Sequence, residues 1–207
     1  MIKLISHIKQ RIALPLPGSA AQLKMAPLSR INQLQAPPDA RQSAVMILLF
    51  EQTGEWYTLL MRRTEDGRTH SGQISFPGGK REESDSDILM TALRETEEEI
   101  GIRRDQIQVL GQLSPLYIPP SNFHVTPVLG YLPGSVETNI SPQEVQEVLT
   151  VPLRKLFDDS IKEERLITTS TNNQLRSPIY LLPPQHIVWG ATAMIISELE
   201  HLIKEYI

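Results

Sequence analysis

The chain has 207 residues, 40% of them hydrophobic and 21% charged, with a net charge of −4 at pH 7. That length supports one substantial core with an appended arm, and the balance is ordinary for a soluble globular protein. The acidic excess argues against a stable nucleic-acid partner, and the lack of cysteine excludes a disulfide framework and thiol chemistry.

The first residues, MIKLISHIKQRIALPLPGSAA, scatter charges among apolar residues and lack the unbroken apolar core of a signal peptide. No stretch approaches the roughly 18 apolar residues of a membrane span. The expectation is a cytoplasmic protein with no membrane partner. Apolar residues at Ile2, Leu4, Ile5, Ile8 and Ile12 predict a short amphipathic helix over 2–12, packed on the body or on a partner subunit. Residues 13–42, rich in proline, glutamine and alanine, read as an irregular connector. Ser43–Phe50 and Trp56–Arg62 read as strands joined by a turn at Gln52-Thr53-Gly54. Residues 74–76 then lead into a Pro-Gly-Gly loop.

The segment that follows, FPGGKREESDSDILMTALRETEEEIGI over 76–102, organises the rest. Ser84 to Asp87 offer side chains that can accept bonds from the free amides opening a helix, and Gly101 is a natural stop, so a helix is predicted over about 87–100. At about 100° per residue, Glu99 falls about 40° from Glu95 and Glu98 about 60° to its other side, so three carboxylates share one arc. Leu89, Ala92, Leu93, Thr96 and Ile100 fill the neighbouring arc and read as the core face, while Glu97 points to solvent. Like charges so placed repel by a few tenths of a kcal/mol per pair. A solvated acidic turn is one reading of such a run. The Gly-Gly loop, which lets backbone approach a ligand just ahead of it, favours another: hard oxygen donors for Mg²⁺ or Mn²⁺.

Downstream, residues 106–115, 124–132 and 145–151 read as strands around the loop Ile118-Pro-Pro-Ser-Asn122. Residues 166–180 read as a hairpin or a long connection. Residues 189–205 read as a second helix, with Ala193, Ile196, Leu199 and Ile203 on one face.

The acidic segment resembles the Nudix box: Gly, five residues, Glu, seven residues, Arg-Glu-U-x-Glu-Glu-x-Gly-U, with U aliphatic. Arg94-Glu95-Thr96-Glu97-Glu98-Glu99-Ile100-Gly101-Ile102 matches its second half, with Thr96 at the first aliphatic position. In the first half, the run from Gly79 to Arg94 is one residue too long, and Ser86 stands where the first Glu belongs, leaving Asp85 or Asp87 to substitute. The stretch LLMRRTEDGRTHSGQISFPGG over 59–79 is similar to the signature of the coenzyme A pyrophosphatase subgroup. Leu59, Leu60, Arg63, Arg68, Gly72 and Phe76 to Gly79 are in place, while Met61 and Thr64 depart from it. HVTPVLG, EVQEVLTVPL and HIVWGATAMI also look like that subgroup, so the likeness covers roughly 43–205.

The resemblance implies a Nudix-type α/β/α sandwich with a mixed central sheet, occupying 43–207, preceded by a helical arm over 1–42. It implies metal-assisted hydrolysis of the pyrophosphate bond of coenzyme A or its thioesters, giving 3′,5′-ADP and 4′-phosphopantetheine. The rivals are another nucleoside diphosphate derivative, such as NADH or ADP-ribose, and a catalytically weak nucleotide-sensing module. Glu95, Glu98 and Glu99 are expected to hold Mg²⁺ or Mn²⁺, with the Gly79 carbonyl, and Arg94 to orient one of the carboxylates. The proton acceptor is left among Glu98, Glu99 and, on a later loop, Glu144, with Glu147 second. Arg63 and Arg68 suit phosphate oxygens, unless they pair with Glu65 or Asp66. His70 and Gln73 are candidate substrate contacts beside the Gly78-Gly79 backbone. A homodimer is implied by resemblance only.

Overall fold

The computed structural model describes residues 2–30, 35–65, 67, 70–169 and 173–207. The chain opens with helix α1 (Ile2–Ile12) and the single turn α2 (Ser19–Gln22). Then come strands β1 (Arg41–Gln52), β2 (Glu55–Arg63), β3 (Ile74–Ser75) and β4 (Gly78–Lys80), and helix α3 (Ile88–Ile100). Strands β5 (Gln108–Gln112), β6 (Leu116–Ile118), β7 (Phe123–Tyr131) and β8 (Val145–Pro152) follow, with a short α4 (Leu153–Leu156). Strands β9 (Lys162–Thr168), β10 (Gln174–Leu182) and β11 (His186–Trp189) lead into α5 (Gly190–Ile203).

The central sheet runs β3-β2-β1-β7-β5, with β4 added to β1, β6 to β7 and β8 to β2. Its middle pair, β1 and β7, is parallel from Arg41↔Phe123 to Leu49↔Tyr131, and the other pairings are antiparallel. The sheet is therefore mixed. Because successive side chains alternate between faces, Ala44, Met46, Leu48 and Phe50 of β1 join Ala92, Leu93 and Ile100 of α3 in one core. Ile47 and Leu49 join Ile195, Ile196 and Leu199 of α5 in the other. Both faces being covered, β1 reads in sequence as an almost unbroken apolar run. The layers are α/β/α, as the fold expectation has it.

The β1–β2 turn holds Thr53 and Gly54 at φ 54° and 81°, the left-handed pair that a two-residue hairpin loop requires. The segment 166–180 is a hairpin, with Thr168 opposite Gln174, in a second antiparallel sheet ordered β11-β10-β9. Three features depart from the sequence reading. The predicted strand over 106–115 is shorter, because Gly111 at φ 155° bulges against β7 and the chain pairs afresh as β6. Trp189 ends strand β11 instead of starting a helix, since Gly190 at φ 63° turns the backbone there. Helix α5 is buried nearly all round, not along one face, because it also meets β10, β11, α1 and α2.

The arm is built into the body. Leu4 and Ile8 of α1 are 3% and 0% exposed in the α5-side core. The connector is partly regular, and a buried carboxylate holds it: Glu198 of α5 accepts from Gly18 N (3.0 Å) and Gln22 Nε2 (2.8 Å). Among the described residues no helix is long and apolar enough to cross a membrane.

Candidate active site

Helix α3 starts and stops where its residue types dictate. Asp87 accepts from Met90 N at 2.9 Å as the N-cap, and Gly101 closes the helix at φ 73°. The free carbonyls at that end are met by the next loop: Asn139 N donates to Ile100 O and Ser141 N to Glu99 O, each at 2.9 Å. The loop then turns through Ser141–Glu144, stitched to the end of β2 by Thr64 N to Glu144 O (3.0 Å) and Thr64 Oγ1 to Gln143 O (3.1 Å). Glu144 is thereby brought close enough that its charge raises the pKa of both Glu95 and Glu99.

The three carboxylates that share one arc in sequence meet three different environments. Glu99 is 1% exposed and accepts from Gly78 N (2.7 Å) and Arg63 Nη1 (3.1 Å). Burial is the largest influence on it and pushes its pKa up to about 8, against the pull of Arg63 and the Gly78 amide. Glu95 is half-buried against Arg94 Nη1 at 3.0 Å, and burial raises its pKa too. Glu98 lies at the exposed edge, 2.8 Å from Arg94 Nη1. Glu97 pairs with Arg104 at 2.6 Å, which corrects its reading as merely solvated.

Arg94 is the hub of the cluster. Asp85, 6% exposed, grips it from Nε (3.0 Å) and Nη2 (3.1 Å), and Nη2 also donates to Lys80 O at 3.1 Å. Asp85, next to Ser86, is thus the acid that engages Arg94, while Asp87 caps the helix. The guanidinium holds the Asp85 carboxyl far below the usual carboxylate range.

The Gly-Gly loop is β4, paired to β1 through Val45↔Gly78 and Ala44↔Gly79. A Cβ on Gly78, at φ 153°, would sit 2.2 Å from Ala44 O. A Cβ on Gly79 would lie 2.5 Å from all three atoms of the Glu95 carboxyl group. Bare backbone thus faces carboxylate at the head of the cluster. Among the described residues no three acidic or histidine side chains stand together as a ready ion cage, because Glu95 and Glu98 are both drawn to Arg94 Nη1 while Glu99 is turned to Arg63 and the Gly78 amide. The donor set nevertheless fits a hard divalent cation. It offers oxygens only, and the charges of Glu95, Glu99 and Glu144 oppose one another in a half-buried space.

Beside the loop lies a cleft of about 470 Å³ whose apolar walls include Val45, Phe76, Ile118, Pro119, Phe123 and Trp189. Arg63, His70, Gln73, Gly78 and Gly79 line it, and so do Arg30 and Lys80, which the sequence reading did not single out. His70 Nδ1 and Gln73 Oε1 are 3.1 Å apart, and burial lowers the His70 pKa, so this pair is neutral near pH 7. Arg63 pairs with Glu99; Glu65 is taken by Arg62 at 2.9 Å. Arg68 and Asp66 lie outside the described residues. Glu147 faces Arg62 and His186, at 3.8 and 3.9 Å. A larger charged cavity of about 1000 Å³ between α1, α5 and β9 shares no lining residue with the carboxylate cluster.

Residues 40–169 match the NUDIX domain family. The chain belongs to the Nudix family. A curated relative described as an uncharacterized Nudix hydrolase NudL, from Photorhabdus laumondii subsp. laumondii, is 35% identical over 178 residues, covering 83% of this chain and 94% of that protein. Another NudL, from Pectobacterium atrosepticum, is 38% identical over 182 residues, covering 84% and 91%. The crystal structure of the Nudix hydrolase RenU from M. smegmatis aligns with a TM-score of 0.56 over 81% of this chain and 88% of its own, at 14% identity, a likeness of fold. The Nudix assignment makes the protein a pyrophosphatase-type hydrolase, and Nudix enzymes generally use divalent metal ions.

The two glycines of the Nudix loop should separate in their effects. Gly79→Ala displaces only the mobile end of Glu95, so turnover is expected to fall about 100-fold or more with the melting temperature nearly unchanged. Gly78→Ala meets backbone and is expected to lose roughly 2–4 kcal/mol of stability. Paired kinetics and thermal melts check both.

Proposed function

We propose that this Nudix hydrolase cleaves the pyrophosphate bond of coenzyme A or its thioesters, releasing 3′,5′-ADP and 4′-phosphopantetheine. The observation that carries the reading is the mostly apolar cleft abutting Gly78–Lys80. Its walls suit a base or a pantetheine arm, while the carboxylate cluster next to it suits the diphosphate. The two departures from the coenzyme A signature support the reading as well. Met61 is buried under α3 and the Thr64 hydroxyl is spent on Gln143 O, so neither lines the cleft.

Mg²⁺ or Mn²⁺ held by Glu95, Glu99 and Glu98 would neutralise phosphate charge and lower the pKa of attacking water. Arg94 fixes the orientation of Glu95 and Glu98. Glu144, exposed beside Glu95 and Glu99 and unpaired with any cation in the described residues, accepts the proton from water. Gly78 and Gly79 let the diphosphate approach the backbone, and the apolar walls exclude bulk water from the rest of the substrate. A cytoplasmic setting and a homodimer belong to the same proposal.

The purified protein, given Mn²⁺ or Mg²⁺ and a panel of coenzyme A, acetyl-coenzyme A, NADH, ADP-ribose and nucleoside triphosphates, should yield 3′,5′-ADP from the coenzyme A compounds, identified by mass. Preferential cleavage of ADP-ribose or NADH overturns the substrate assignment, and cleavage of none points to a sensor.

A further inference from the structure

The cleft holds a cation that the carboxylate chemistry does not use. Arg30, from the arm, reaches in beside the Pro119–Ser121 turn. Its Nη2 donates to Tyr117 O, yet its Nε is buried without a partner, and it forms no ion pair among the described residues. Burial with no acid at hand pulls its pKa below the usual arginine value. A largely desolvated guanidinium without a counter-charge is costly, and the cleft is where an anion could meet it.

Two more residues lining the same cleft, Ser75 and Ser121, carry buried hydroxyls without a partner, and Ser121 is only 8% exposed. The turn bearing Ser121 is held rigid from outside. Arg41 donates to Ser121 O and stacks over Phe123 at 4.2 Å, and Asn122 accepts from Tyr117 Oη at 2.9 Å. Arg63, the other arginine lining the cleft among the described residues, is committed to Glu99. Arg30 and Ser121 thus lie together on the arm side of the cleft, while Lys80 lies at its Gly78–Lys80 side.

We infer that Arg30 and Ser121 form a subsite for a phosphomonoester that the substrate carries on its nucleoside, separate from the pyrophosphate. The inference rests on the coenzyme A reading for the identity of that group, the 3′-phosphate. It gives residues before the matched domain a part in specificity. An arginine and a hydroxyl suit phosphate oxygens through charge-assisted bonds that a bare ribose cannot replace.

Calorimetric titration of the full chain with 3′,5′-ADP and with 5′-AMP tests it without any turnover. Wild type should bind 3′,5′-ADP on the order of tenfold or more tightly than 5′-AMP. Arg30→Gln should erase the preference by weakening 3′,5′-ADP alone, Arg30→Lys should keep part of it, and Ser121→Ala should reduce it. No preference in wild type, a preference that survives Arg30→Gln, or equal weakening of both nucleotides overturns the subsite. If the preference behaves as expected while coenzyme A is not cleaved, the substrate assignment fails and the subsite stands.

Discussion

Glu99→Gln is expected to lower kcat by at least about 1000-fold, equivalent to about 4 kcal/mol, and at the same time to stabilise the metal-free protein above pH 7. Both effects come from one buried carboxyl. The fold raises the Glu99 pKa from 4.5 to about 8, so between those values the native chain keeps a proton that the unfolded chain has released. Stability must then fall as pH rises through that window, at up to about 1.4 kcal/mol per pH unit, and level off above pH 8. Glutamine removes the titration and with it the slope. A divalent ion acts in the opposite sense, because it needs the carboxylate. Its apparent affinity should climb by up to tenfold per pH unit and flatten above about pH 8, with proton release on binding. Urea unfolding of wild type and Glu99→Gln from pH 5 to 9, with and without Mn²⁺, reads all of this. Identical slopes for the two proteins in the absence of metal would dismiss the assignment.

The sequence made the scaffold legible wherever a side chain's role is set by its neighbours along the chain. The helix from Asp87 to Gly101 could be read because caps and carboxylate spacing are local properties. The β1–β2 hairpin could be read because Thr53-Gly54 sits between two apolar runs. What escaped depends on contacts across the fold. Spacing puts Glu95, Glu98 and Glu99 on one arc. It cannot tell that Glu99 sinks beneath Gly78 and Arg63 while Glu98 stays at the surface, because that follows from β4 packing beside the helix and Arg63 reaching it from the end of β2. Arg30 and the Ser121 turn carry no motif. They are 91 residues apart in the chain, and only the packing of the arm on α5 through Glu198 lines both of them on one cleft. The two departures from the Nudix and coenzyme A patterns turn out differently under physical reading. Met61 keeps a buried apolar position, while next to the missing glutamate Asp85 engages Arg94.

That contact carries the largest expected effect on folding. Asp85→Ala should cost about 3–5 kcal/mol, because it strips a buried, doubly bonded carboxylate from Arg94, whose side chain is only 11% exposed. Asp85 also accepts from Glu82 N at 3.0 Å and Thr91 Oγ1 at 2.9 Å, so those donors lose their acceptor as well. Since the folded pKa of Asp85 is depressed, its contribution is present above the unfolded value near 3.8 and is lost as pH falls below it. Wild type should show an acid limb that the variant lacks in part. Activity should fall further than stability alone explains, because Arg94 released from Asp85 no longer fixes Glu95 and Glu98. Asp85→Glu, which supplies the residue type of the Nudix pattern, should not improve the protein. The extra methylene must enter a site where Arg94, Thr91 and the Glu82 amide already close on a shorter side chain, at a cost of about 1–3 kcal/mol. Thermal melts from pH 3 to 8, beside turnover measured well below each variant's melting temperature, separate the two effects. An Asp85→Ala protein as stable and active as wild type would show that Arg94 does not need this partner.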